Sequence, residues 1–143
     1  MCAMPHTTAN TTEDTLLATP LTAFRLELAD NIAHLILNRP DAFNTLNPKF
    51  WQELDLVLDT LHRSGTSRAL IISSTGKHFC AGMALETFAD PNFAPNDRTP
   101  EGRAAIIDML AQLQTTFNKI EALRMPVICA IQGACVGGGL DLI

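Results

Sequence analysis

No block of basic residues stands out in this chain of 143 residues, in which 10 Lys and Arg face 15 Asp and Glu for a formal charge of −5. A phosphate-backbone footprint is missing, so nucleic acid is not an expected partner. Nor does any apolar run approach the roughly 20 residues that a bilayer-spanning helix needs. No membrane partner is expected. The first twenty residues, MCAMPHTTANTTEDTLLATP, hold neither Lys nor Arg, so the positive flank of a secretory signal and the arginines of a transit peptide are both lacking. Residues 1–22 are expected to form a disordered Thr-rich tail, and the protein to be cytoplasmic. The four cysteines, Cys2, Cys80, Cys129 and Cys135, have neither paired metal-ligand spacing nor the pattern of a secreted disulfide scaffold. No metal site is expected.

What is present is enough for a core, since 47% of the residues are hydrophobic. From Phe24, FRLEL alternates, ADN offers a turn and IAHLILN resumes, which predicts a β-hairpin. After the loop NRPDAFNTLN, Asn47 is placed to cap and Pro48 to open a helix that Gly65 ends. Its stripe is Phe50, Trp51, Leu54, Val57, Leu58 and Leu61. RALIISS has the length of a buried strand. The three prolines of ADPNFAPNDRTP predict a surface excursion, suited to covering a substrate. Ile106, Leu110, Leu113, Phe117 and Ile120 recur at spacings of four and three, which predicts a helix of about five turns packed into the core by that face. Pro126 breaks it, and VICAI reads as a second buried strand. Hairpin, helix, strand, helix, strand is an α/β order.

Both buried strands empty into small-residue loops, FCAG after the first and GACVGGG after the second. A P-loop would need Lys and Ser or Thr after its last glycine, and the dinucleotide fingerprint needs G-x-G-x-x-G; GACVGGGLDLI provides neither. A third possibility is an oxyanion hole, with one peptide N–H from each loop converging on an oxygen that becomes negative. A helix starting near Gly138 would add its N-terminal amides. Asp141 would then lie one turn along, on the side of that amide, where a carboxylate can move protons. The bland alternative is an acid that complements the helix dipole.

Together, NRPDAFNTLN, GKHFCAGMAL and PVICAIQGACVGGGLDLI resemble the crotonase superfamily of enoyl-CoA hydratases and isomerases, from about Phe24 to Ile143. The resemblance implies a crotonase-like spiral of ββα units, with residues 23–143 forming the N-terminal part of an acyl-CoA-binding domain whose C-terminal half is missing. It implies an acyl-CoA thioester as substrate, no cofactor apart from the CoA of that substrate, and a homotrimer or hexamer. Position by position, it implies that the backbone N–H groups of Met83 and Gly138 stabilise a thioester enolate. The Ala81 carbonyl would accept from the adenine amino group and the loop around Ala42 and Phe43 would line the CoA path, while Gly82, Leu85 and Gly137 border the substrate. Hydratases usually carry Glu where this chain has Asp141; GGGLDL is closer to the dienoyl-CoA isomerases. Ala84 stands where many members have Asp, so a loop-fixing contact is expected to be lost.

Other candidates carry less. Cys80 has no His or Asp partner at a telling spacing and reads as packing. Likewise, His78 reads as a loop residue, Glu86 as a solvated acid and Trp51 as part of its helix stripe. An acyl-CoA enzyme of the hydratase/isomerase type is the leading expectation; a catalytically incompetent fragment or acyl-CoA-binding module of the same fold is the alternative.

Overall fold

Strands β1 (Phe24–Ala29) and β2 (Ile32–Leu37) form the antiparallel hairpin, with Phe24 opposite Leu37 and Ala29 opposite Ile32. Asp30 and Asn31 take φ of 52° and 60°, the two positive values of a type I′ turn, whose twist matches that of the strands. The chain crosses through α1 (Pro48–Ser64) to β3 (Ala69–Ser74), parallel to β2, and then through α2 (Pro100–Glu121) to β4 (Val127–Cys129), parallel to β3. The strands therefore lie in sequence order, β1-β2-β3-β4. A short helix, α3 (Gly138–Leu142), follows the last glycine loop. The computed structural model describes residues 15, 16, 18–90, 93 and 97–143. Among them no helix is long and apolar enough to cross a membrane.

The start and stop of α1 are those its sequence signals dictate. Asn47 Oδ1 accepts from the Phe50 amide at 2.9 Å, Pro48 opens the first turn, and Gly65 ends the helix at φ 65°. The apolar stripe covers one face of the sheet: Leu54, Val57, Leu58 and Leu61 pack with Leu35, Leu37, Leu70 and Ile72. All four α1 side chains are wholly inaccessible, and burying each contributes about 1.5–3 kcal/mol.

Two expectations about the core change. The α2 stripe reaches the core only in part: Leu113, Phe117 and Ile120 pack against it half-buried, while Leu110 is 48% exposed. The reason is layering. With α1 already filling the sheet face, α2 packs on α1, its Phe117 ring 4.8 Å from Trp51 and its Lys119 ammonium bonded to Asp55 and Asp59. The second change is β4, which stops at Cys129 instead of running through VICAI and leaves Ile128 56% exposed, because it is the outer strand of the sheet.

The expected tail also ends earlier than residue 22. Residues 1–14 and 17 lie outside the described residues, as do 91, 92 and 94–96 of the expected surface excursion. Leu16, however, is buried in the core. Thr22 donates its amide and hydroxyl to Glu53 Oε1 at 2.8 and 2.7 Å, and the Ala23 amide donates to Oε2 at 2.8 Å. Glu53 on α1 thus holds the segment that leads into β1. Replacing it by Leu strands the buried Ala23 donor, and a loss of about 2 kcal/mol is expected. Urea unfolding should show a lower midpoint at unchanged slope; an unmoved midpoint would mean that the carboxylate contributes nothing net.

Candidate active site

Three parallel strands, β2, β3 and β4, release the chain at the same edge of the sheet, where ligands collect in open α/β folds. The loops they release are tied to one another. Asn44 is buried at φ 53°. Its Nδ2 donates to the Thr75 and His78 carbonyls at 2.7 and 3.1 Å, while its Oδ1 accepts from the Arg39 amide at 2.9 Å. From the third loop, the Ala134 carbonyl accepts from Phe79 and Cys80 at 3.0 and 3.2 Å, Val136 donates to the Cys80 carbonyl at 3.0 Å, and Gln132 Nε2 donates to the Ser74 carbonyl at 2.9 Å. His78 braces the same loop, its Nδ1 accepting from the Ala134 amide at 3.1 Å. Neither Asn44 nor Gln132 stood out in the sequence. For Asn44 the signal was a loop position suited to positive φ, which Asn tolerates well.

Leu46 decides where the Met83 amide points. Its N–H donates to the Gly82 carbonyl at 2.8 Å and its carbonyl accepts from Ala84 at 3.0 Å, a parallel bridge to Met83. In such a bridge the residue between the two bonded neighbours turns its own N–H to the other side. On that side lies the third loop. Gly82 has φ 83°, and a Cβ there would stand 3.1 Å from the Val136 carbonyl and 3.7 Å from the Gly138 nitrogen, so only glycine lets the two loops come this close. Gly137, at φ 55° and ψ −132°, then turns the chain into α3. Neither the Met83 nor the Gly138 amide donates a hydrogen bond within the described protein.

Met83, Gly138 and Asp141 line one cleft of about 460 Å³. The opposite wall is a half-buried face of α2, with Leu110, Leu113, Gln114, Phe117 and Asn118, and Trp51 of α1 completes it. Trp51 is therefore both a packing residue, 6% exposed, and a wall of the cleft; its Nε1 is buried without a partner among the described residues. Gly82 and Gly137 shape the cleft by bringing the loops together without lining it. The remaining candidates lie apart from it. Phe43 is 58% and Leu85 84% exposed, Phe43 accepts through its carbonyl from the Ala81 amide at 3.1 Å, and neither these residues nor Ala42 line the cleft.

Ala84 is buried, and the backbone bonds to Leu46, a 3.4 Å bond from the Thr87 hydroxyl to the Leu46 carbonyl, and an Arg39–Glu86 pair at 3.1 Å hold its segment. Cys80 is packing, as its context suggested: it is fully buried, its Sγ accepts from Gly82 N at 3.4 Å, and burial pushes its thiol up, away from the nucleophilic thiolate.

A family model described as enoyl-CoA hydratase/isomerase matches residues 27–143. The chain belongs to the enoyl-CoA hydratase/isomerase family. It is 34% identical over 125 residues to the peroxisomal Delta(3,5)-Delta(2,4)-dienoyl-CoA isomerase of Arabidopsis thaliana, a match covering 86% of this chain and 45% of that protein. With the mitochondrial Delta(3,5)-Delta(2,4)-dienoyl-CoA isomerase of Homo sapiens it shares 37% identity over 114 residues, 79% of this chain and 35% of the other. The crystal structure of an enoyl-CoA hydratase from Shewanella pealeana aligns with a TM-score of 0.70 at 26% identity, over 94% of this chain and 47% of that one. The family chain thus spans less than half the length of these relatives, and its α/β architecture is that of the crotonase fold which the motifs implied. The two isomerases are named for the peroxisome and the mitochondrion, so they lend the cytoplasmic expectation no support.

Proposed function

We propose that this chain carries the oxyanion hole and one catalytic acid of an acyl-CoA enzyme that moves a double bond in an enoyl- or dienoyl-CoA. One observation carries the proposal: Met83, Gly138 and Asp141 line the same cleft, and neither amide donates a hydrogen bond among the described residues. The thioester oxygen would sit between the two N–H groups. As a proton leaves the carbon chain, charge moves onto that oxygen as the enolate forms, and each preorganised donor stabilises it by roughly 3–4 kcal/mol. Asp141 would remove the proton as a base and return it, or a proton from another acid, at a different carbon. The mostly apolar wall of Trp51, Leu110, Leu113 and Phe117 would hold the acyl chain and keep water from the enolate.

Isomerisation is favoured over hydration because Asp141 stands where the resemblance gives the hydratases Glu and the dienoyl-CoA isomerases Asp. The isomerase names of the two relatives point the same way. No cofactor enters beyond the CoA of the substrate, and the assembly is a homotrimer or hexamer. A second reading, for which Asp141 being the one carboxylate that lines the cleft among the described residues speaks, is an acyl-CoA-binding module without turnover. Calorimetric titration with a dienoyl-CoA, followed by the ultraviolet absorbance of the conjugated thioester, separates them. Binding with a changing absorbance is the expected result. Binding with constant absorbance would leave the module, and no binding would remove both.

A further inference from the structure

The Asp141 cleft has a neighbour of about 470 Å³, and the two share three lining residues, Phe117, Asn118 and Asp141. Asn118 and Asp141 are thus the polar side chains on the ridge between them, one brought by α2 and the other by α3. Neither side chain makes a hydrogen bond within the described protein. Other polar groups facing Asp141 fit less well. Gln114 lines the first cleft alone, and Glu121 of α2 lines the second alone and is itself an acid; among the described residues no Lys, Arg or His lines either cleft.

We propose that Asn118 is a positioning residue that acts through Asp141, an inference that rests on the role of Asp141 proposed above. A base carboxylate exposed on a five-residue helix needs a partner to fix its rotamer, because a swinging carboxylate spends little time aligned with a C–H bond. The Asn118 amide would donate to one carboxylate oxygen and leave the other for the substrate proton. A neutral donor suits a base here. A lysine or arginine on the ridge would fix the carboxylate equally well, but by stabilising its charge strongly it would weaken it as a base.

The test is a double-mutant cycle in the full chain, with kcat and KM measured on a dienoyl-CoA for wild type, Asn118→Leu, Asp141→Asn and both together. Asn118→Leu keeps a side chain of similar size and removes the donor; a roughly tenfold fall in kcat with KM little changed is expected. In the Asp141→Asn background the same change should have almost no further effect. Asn118→Gln, which restores a donor on a longer arm, should recover part of the rate. Equal fold-losses from Asn118→Leu in both backgrounds, or no loss in either, would overturn the positioning role while leaving Asp141 as the base. Unaltered turnover in Asp141→Asn alone would instead overturn the role of Asp141 itself.

Discussion

Replacing Asp141 by Asn is expected to cut turnover of a dienoyl-CoA by 10²- to 10⁴-fold, the range typical of a lost general acid–base group, with the melting temperature little changed. Asn keeps the size of the side chain and can still accept a hydrogen bond, but it cannot take a proton. The competing role for an acid at this position is a helix cap, because Asp141 lies in the first turn of α3. Such acids contribute only about 0.3–1 kcal/mol through the helix dipole, and α3, with five residues, has a small dipole to complement. The two roles therefore predict opposite patterns. Lost turnover at constant melting temperature identifies the base; retained turnover with a lowered melting temperature identifies the cap.

Gly138→Pro is expected to reduce turnover by 10²- to 10³-fold, the cost of deleting one oxyanion donor, since proline has no N–H to offer. Proline is sterically acceptable at the first position of a helix, which is where Gly138 stands. The control is Gly138→Ala, which keeps the donor. Its Cβ would meet Leu46 Cδ1 at 2.7 Å, the free end of a side chain, so a small rotation of Leu46 should accommodate it and most of the turnover should survive. Equal losses in the two variants would mean that bulk against Leu46, rather than the missing donor, limits the rate. Circular dichroism melts on both proteins keep that comparison free of unfolding.

Sequence alone determined what depends on near neighbours. The hairpin, the cap and stop of α1, the breaks at glycine and proline, and the two loops that carry Met83 and Gly138 all follow from local propensity and spacing, and the structure holds them at those places. The family motifs lie in these same segments, so they were legible too. Burial of α2 was not. A repeat of four and three states that one face of a helix is apolar, but it does not state what covers that face. The α1 layer took the sheet, and the stripe of α2 packs half-buried at the rim of the core, where it also lines a cleft. The direction of the Met83 amide was likewise undecided until Leu46, far away in sequence, bridged to it, and Asn44 and Glu53 acquired their roles only through partners about 30 residues away. Hydrogen bonds between distant segments leave no periodic trace along the chain, because each needs only one polar residue at one position and a backbone group that any residue supplies.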